Sequence, residues 1–334
     1  MFYQTVVLIP LIRSMDLLLL DGTARKGEVA VGETRMIIRH RTNFLKLFFV
    51  MRGSVVPRIL PQIFGFAVYG AAITVLIQRF LPAVESMSVA PFALVTVTLS
   101  IYLGFRNSAA YDRWWEGRKL WGQLVYEIRN LARAGMALLP ESGLHRPLLM
   151  DSLAFCHLLR GALRRIDASA DAQRFLSEAD AMLAKAGPEA IVRRMGRRIA
   201  DARAGGALDP IGFRILDERL AAIAAVEAGC ERIAATPLPF AYTLLLQRTA
   251  YVVCLLLPFG LVSAIGWATP LFTAIIAYTF FGLDALSEEL EDPFGSEAND
   301  LPLDALCRIC EISVMEALGE PAPEPLAARH YFLS

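Results

Sequence analysis

Charged residues vanish from four stretches of the chain and crowd the segments between them. Leu60 to Ile77 carries no charge until Arg79, and Val89 to Phe105 carries none until Arg106. Thr249 to Trp267 follows the polar pair Gln247 and Arg248 and contains Pro258, which a membrane helix tolerates when neighbours satisfy the freed carbonyl. Thr269 to Leu283 stops at Asp284. A bilayer core asks for about 17 to 25 apolar residues per helix. The first three stretches therefore predict transmembrane helices, while the fourth is short enough to be either a span or a buried or partly interfacial helix.

Between the two pairs of apolar runs, residues 106–237 are rich in Ala, Leu and Arg at helical spacing and show almost no strand-like alternation. They predict a cytosolic helical region with breaks at Pro140, near Ser169, at Gly187-Pro188 and at Gly205-Gly206. Asn43 to Met51 sets Phe44, Leu47, Phe48 and Phe49 beside Lys46, the pattern of a short helix at a membrane surface. Residues 1–35 stand apart as an extension of unclear role: Thr5 to Ile12 is apolar but too short to cross. The chain then divides into 1–35, an interfacial helix with two spans over 36–105, the helical region 106–237, two further spans over 238–283, and an acidic C-terminal region 284–334. The expected class is all-α, an integral membrane protein with four transmembrane helices.

Composition agrees, with 55% hydrophobic residues and a mean hydropathy of +0.46, both high for a water-soluble fold. A formal net charge of zero points to no nucleic-acid partner. Placement of charge says more: Arg35, Arg39, Arg41, Lys46, Arg52 and Arg58 precede the first run without an acidic residue, and Arg106, Arg113, Arg118 and Lys119 follow the second. Lysine and arginine favour the cytoplasmic side, so both termini are expected inside and the connection Leu81 to Ser88 outside. The five cysteines lack the spacing of a disulfide framework. Cys307 and Cys310 form one CxxC, read as helix packing with a metal or redox pair as the alternative, and His40, His145, His157 and His330 are too dispersed for a metal site. No metal or cofactor is expected.

After the second run stands Gly104-Phe105-Arg106-Asn107-Ser108, then Tyr111, Arg113-Trp114-Trp115-Glu116, Arg118 and Trp121-Gly122. By itself this is an arginine and tryptophan cluster at a membrane boundary, where aromatic belts and cation–π pairs are common. Its spacing resembles the bestrophin family, particularly the bacterial members, as do Pro237 to Thr243 (PLPFAYT) and Asp292-Pro293-Phe294-Gly295 further on. The likeness runs from about Met36 to Glu320.

The resemblance implies a homopentameric, ring-shaped ion channel in the cell membrane, its second membrane helix lining a neck and its cytosolic helices enclosing a vestibule. Carried onto this sequence, the neck falls at Val97, Ile101 and Phe105 and the cytosolic aperture at Ile211, for which a buried core position is the plain alternative. Thr96 and Ser100, on the other side of the neck helix, are small enough for close packing. The permeant species are monovalent ions, chloride and cations standing equal: animal relatives have phenylalanine at both positions matching Ile101 and Phe105, and this chain keeps one. Where animal relatives carry an unbroken acidic run that binds calcium, this chain has only Glu297 and Asp300 after Asp292, too few for the six to eight oxygens calcium takes. An acidic regulatory segment there is a candidate, and calcium activation is not expected. The competing readings are a membrane enzyme and a scaffold. Against the enzyme, no HExxH, GxxxxGK[ST] or GxGxxG is present.

Overall fold

The computed structural model describes residues 36–37, 50–51, 53–80, 88–139, 143–327 and 332–333. The extension 1–35, nearly all of the proposed surface helix Asn43 to Met51, the connection Leu81 to Ser88 apart from Ser88, and the break at Pro140 lie outside them.

Helix α1 (Val56–Phe80) begins where the Ser54 hydroxyl accepts the Val56 N–H; Pro57 falls in its first turn, where a missing donor costs least, and Pro61 lies inside it. Its buried positions, Ile59, Phe66, Gly70, Ile73 and Ile77, recur at three-, four- and seven-residue steps on one face. Helix α2 (Ala90–Leu138) is 49 residues long, about 74 Å at 1.5 Å per residue. The charge at Arg106 does not end it, and this corrects the expected end at Phe105.

Helix α3 (His145–Arg164) is buried almost all round and closes on Arg165 in a left-handed conformation. A short α4 (Ser169–Gln173) and a 3-10 turn (Glu178–Lys185) lead to α5 (Pro188–Ala204). Gly187, at φ 91°, and Pro188 in the first turn of α5 realise the expected break; Gly206, at φ 74°, realises the next. Helix α6 (Pro210–Ala235) is capped by Asp209, whose carboxylate accepts the Gly212 N–H at 2.8 Å.

Helices α7 (Phe240–Ile265) and α8 (Thr269–Glu291) form a hairpin around the single 3-10 turn Gly266–Ala268. Both outrun their apolar stretches. α7 starts before Gln247 and Arg248, and α8 continues through Asp284 to 23 residues, so the fourth run is a full-length helix. Helix α9 (Leu303–Leu318) ends at Gly319, φ 71°. Outside the helices, Met36–Ile37 pairs antiparallel with Phe332–Leu333.

Among the described residues, a small cluster of Ile73, Ile77 and Val262 and two large hydrophobic cores result. One, in an apolar bundle, joins α1, the start of α2, α7 and α8 through Ile59, Phe66, Leu99, Leu103, Ala250, Cys254, Phe280 and Phe281. The other, in a charged bundle, joins the rest of α2 to α3, α5, α6 and α9 around Trp121, Leu153, Phe155, Ile199, Ile223 and Val314. By length and composition, two stretches could cross a membrane: α1, and the 52 residues of the α7–α8 hairpin. The apolar part of α2 does not qualify separately, because it is short, carries Thr96, Thr98 and Ser100, and runs straight into Arg106.

Candidate functional site

Helix α2 shows two unlike faces. Val97, Ile101 and Phe105 are 59%, 54% and 63% exposed, although all three are large and apolar. At four-residue steps they share one side of the helix. Leu99, Leu103, Arg106 and Ala110 hold the opposite side and are buried against the other helices. The hydroxyls of Thr98 and Ser100 donate to the Leu94 and Thr96 carbonyls of their own helix, so little polarity is left to offer outward. Of the expected small packing pair, Thr96 is half-buried but Ser100 is exposed; within one chain only the first packs.

At the start of α6, Ile211 is 70% exposed, which removes the alternative of a core isoleucine. It lies in the first turn of a helix held firmly by its Asp209 cap.

The three motifs, far apart in sequence, meet at the joint between the two bundles. Arg106 is 1% exposed and forms an ion pair with Asp284 of α8, with Glu291 at 3.8 Å. Gln247 of α7 donates to the other Asp284 oxygen at 3.0 Å. Asn107 lies 3.4 Å from the Ser287 hydroxyl. Arg113 donates to three main-chain oxygens: Ile233 and Thr236 at the end of α6, and Glu291 at the end of α8. These are helix-terminal carbonyls without intrahelical partners, which a guanidinium satisfies well. The Glu291 carboxylate accepts the Leu238 N–H at 2.8 Å, tying the PLPFAYT segment in.

The DPFG segment enters from the third side. Phe294 is buried against Gly117, where a Cβ would come within 3.1 Å of its ring. Trp114 donates its indole N–H to Asn299, whose amide donates to Glu289. Trp121 is fully buried, Trp115 half-exposed, and Glu116 pairs with Arg232 at 2.6 Å. The expected boundary belt of aromatics and cation–π pairs is therefore corrected to a structural joint. Among the described residues the cation–π contacts lie elsewhere, Arg174 over Phe175 and Arg203 over Phe213.

Of the acidic candidates, Asp292 and Glu297 are exposed, whereas Asp300 is 3% exposed and accepts the Glu297 N–H. Burial, reinforced by Asp292, Glu297 and Glu289, pushes its carboxyl up to about 7. It lines a cavity of about 670 Å³ with Arg58, Arg164, Glu288 and Glu289. Among the described residues no group of three or more Cys, His, Asp or Glu side chains is placed to hold a metal ion. Cys307 and Cys310 face Cys156 in the charged core, where burial raises the Cys156 and Cys307 thiols, so the CxxC acts as packing.

Sequence reasoning missed Asp284, Glu291, Gln247 and Asn299, the partners that organise the joint. The available signal was that two apolar runs end on opposite charges, Arg106 and Asp284.

Apolar hairpins joined by one continuous helix to a bundle laced with ion pairs define a helical membrane protein with an extramembrane portion. The chain belongs to the bestrophin family: the model of the bacterial and fungal bestrophin proteins matches residues 36–316. It is 66% identical over 301 residues to a voltage-dependent anion channel-forming protein of Mesorhizobium japonicum, covering 90% of this chain and 97% of that one. A protein of the same description from Escherichia coli K12 is 41% identical over 305 residues, 90% of this chain and all of that one. The crystal structure of a bacterial bestrophin homologue from Klebsiella pneumoniae superposes with a TM-score of 0.75 at 40% identity, covering 79% of this chain and 99% of that one. The first two relatives are named as channel-forming proteins, and the enzymatic reading falls away.

Proposed function

We propose that the protein is a homopentameric ion channel of the cell membrane. In this reading α1, the apolar start of α2, α7 and α8 cross the bilayer, both termini are cytoplasmic, and the charged bundle forms a cytosolic vestibule. Val97, Ile101 and Phe105 from five copies stack as a hydrophobic neck, and Ile211 forms the exit aperture. The observation that carries it is the exposed apolar line on a helix whose opposite face is buried. One chain leaves that line facing outward and encloses no axial path; a ring of copies turns the line toward a shared axis and encloses one. Rings of alkyl groups offer no substitute for a hydration shell, so such a neck gates by dewetting.

The names of the relatives favour anions as the permeant species, with chloride the common candidate, while Val97 and Ile101 give the neck only weak preference. Phenyl edges are electropositive and alkyl groups are not. The test is unitary current from purified protein in planar bilayers, with reversal potentials in asymmetric salt. Ile101→Phe is expected to move reversal toward the chloride equilibrium value; a wild type that passes no current defeats the proposal. With Glu297 and Asp300 as the only acidic residues between Gly295 and Leu301, the channel is expected to open without calcium.

A further inference from the structure

We infer that Asp112 forms the ring of charge nearest the neck on its cytosolic side and makes that mouth favour cations over anions, an inference that rests on the proposed pentamer and pore line. Because α2 is unbroken, its exposed line can be followed past the neck. At 100° per residue, Ser108 and Asp112 fall within the arc marked out by Val97, Ile101 and Phe105. Asp112 is exposed and lies seven residues beyond Phe105, about 10 Å along the axis. Among the described residues, no hydrogen bond or ion pair engages it.

The sequence around it reads as positive, with Arg106, Arg113 and Arg118 close by. The structure withdraws that charge from the line. Arg106 is buried with Asp284, and Arg113 spends its donors on the carbonyls of Ile233, Thr236 and Glu291. Arg118 lies off the arc, against its own helix beside Gly122. Glu116 is also off the line and is paired with Arg232. The next ionisable residue on the line is Lys119, exposed and about 10 Å further on. Lys119 is thus about 21 Å from Phe105, twice as far as Asp112, and with a Debye length of about 8 Å at physiological salt its field at the neck is much the weaker. A single surface carboxylate does little, but five facing one axis at a constriction add their fields and raise the local cation concentration.

The experiment measures reversal potentials of the full-length channel in asymmetric potassium chloride. Asp112→Asn is expected to lower the cation-to-chloride permeability ratio by roughly twofold, and Asp112→Lys further, with larger effects in dilute than in concentrated salt. Asp112→Cys adds a second readout, because all five native cysteines are buried. A cationic thiol reagent applied from the vestibule side should lower the ratio further in that variant alone. If the wild type conducts and Ile101→Phe shifts its selectivity, yet the Asp112 variants keep the wild-type ratio and the reagent has no effect, the inference about Asp112 is overturned and the channel reading stands. A wild type without current overturns both.

Discussion

The two bundles are built from the same helix, α2, but keep their polar groups in opposite ways. In the apolar bundle threonine hydroxyls bond within their own helix, Thr74 to Gly70, Thr249 to Leu245, Thr273 to Thr269 and Thr279 to Ile275. Of the hydroxyls there, among the described residues, only the phenols of Tyr69 and Tyr242 reach main-chain carbonyls of a neighbouring helix. Close approach there comes from small residues, as where Gly70 meets Pro270 and Thr273. In the charged bundle the buried polar groups reach across helices. Asp151 of α3 is held by Arg194 and Arg198 of α5, Asp304 of α9 by Arg160 and Arg164 of α3, and Glu311 by His157. The difference follows from the surroundings. A lipid-facing helix must satisfy its polar groups locally, because neither solvent nor a displaced partner can stand in for a lost bond. A bundle in water can use long-range ion pairs to select one packing, since its surface groups are satisfied by solvent. The tertiary ion pairs of the apolar bundle, Arg106 with Asp284 and Arg58 with Glu288, lie at its end, where it meets the charged bundle.

If this contrast is right, Arg106→Met has the largest effect: it leaves Asp284 short of its partner and should cost about 3–5 kcal/mol of stability. Thermal unfolding of the detergent-solubilised protein reads the loss. Asp151→Ala strips the acceptor from two arginines that can still turn toward water, and should cost about 2–3 kcal/mol in the same assay. A smaller effect concerns pH at Asp300. Burial raises its folded pKa to about 7, above the ordinary carboxylate value of 3.8, so the folded form holds the proton more tightly. The contribution of this group is therefore greatest below the lower value and is lost as pH rises through about 7. Asp300→Asn should flatten that part of the stability profile; an unchanged slope means that the group titrates normally. The smallest effect belongs to Thr273→Val, whose hydroxyl bonds only within its own helix: less than about 1 kcal/mol is expected. A loss as large as that of Asp151→Ala would break the contrast.

Much of this organisation was legible in the sequence. The apolar runs, the glycine and proline breaks at Gly187-Pro188 and Gly205-Gly206, and the three motifs were visible because each is a local signal. The helix ends at Arg106 and Asp284 were misread because a charge closing an apolar run has the same local appearance whether it meets water or a buried partner. The partner here is 178 residues away, and only the fold brings it near. The arginine-rich motif misled for the same reason: its charges are visible in sequence, but the carbonyls and carboxylates that absorb them are not. The exposure of Val97, Ile101, Phe105 and Ile211 could not be read at all, since core leucines and isoleucines recur at the same spacing.

The unbroken α2 also has the proportions of a lever. Its deep anchor at Arg106 divides it unequally, with about 14 Å up to Val97 and about 48 Å down to Leu138. A tilt of about 5° about that anchor displaces Val97 by about 1 Å and the far end by about 4 Å. In the proposed pentamer, push applied at the distal end is thus geared down into small, forceful movement at the Val97 end, where a neck that gates by dewetting responds to slight changes in width.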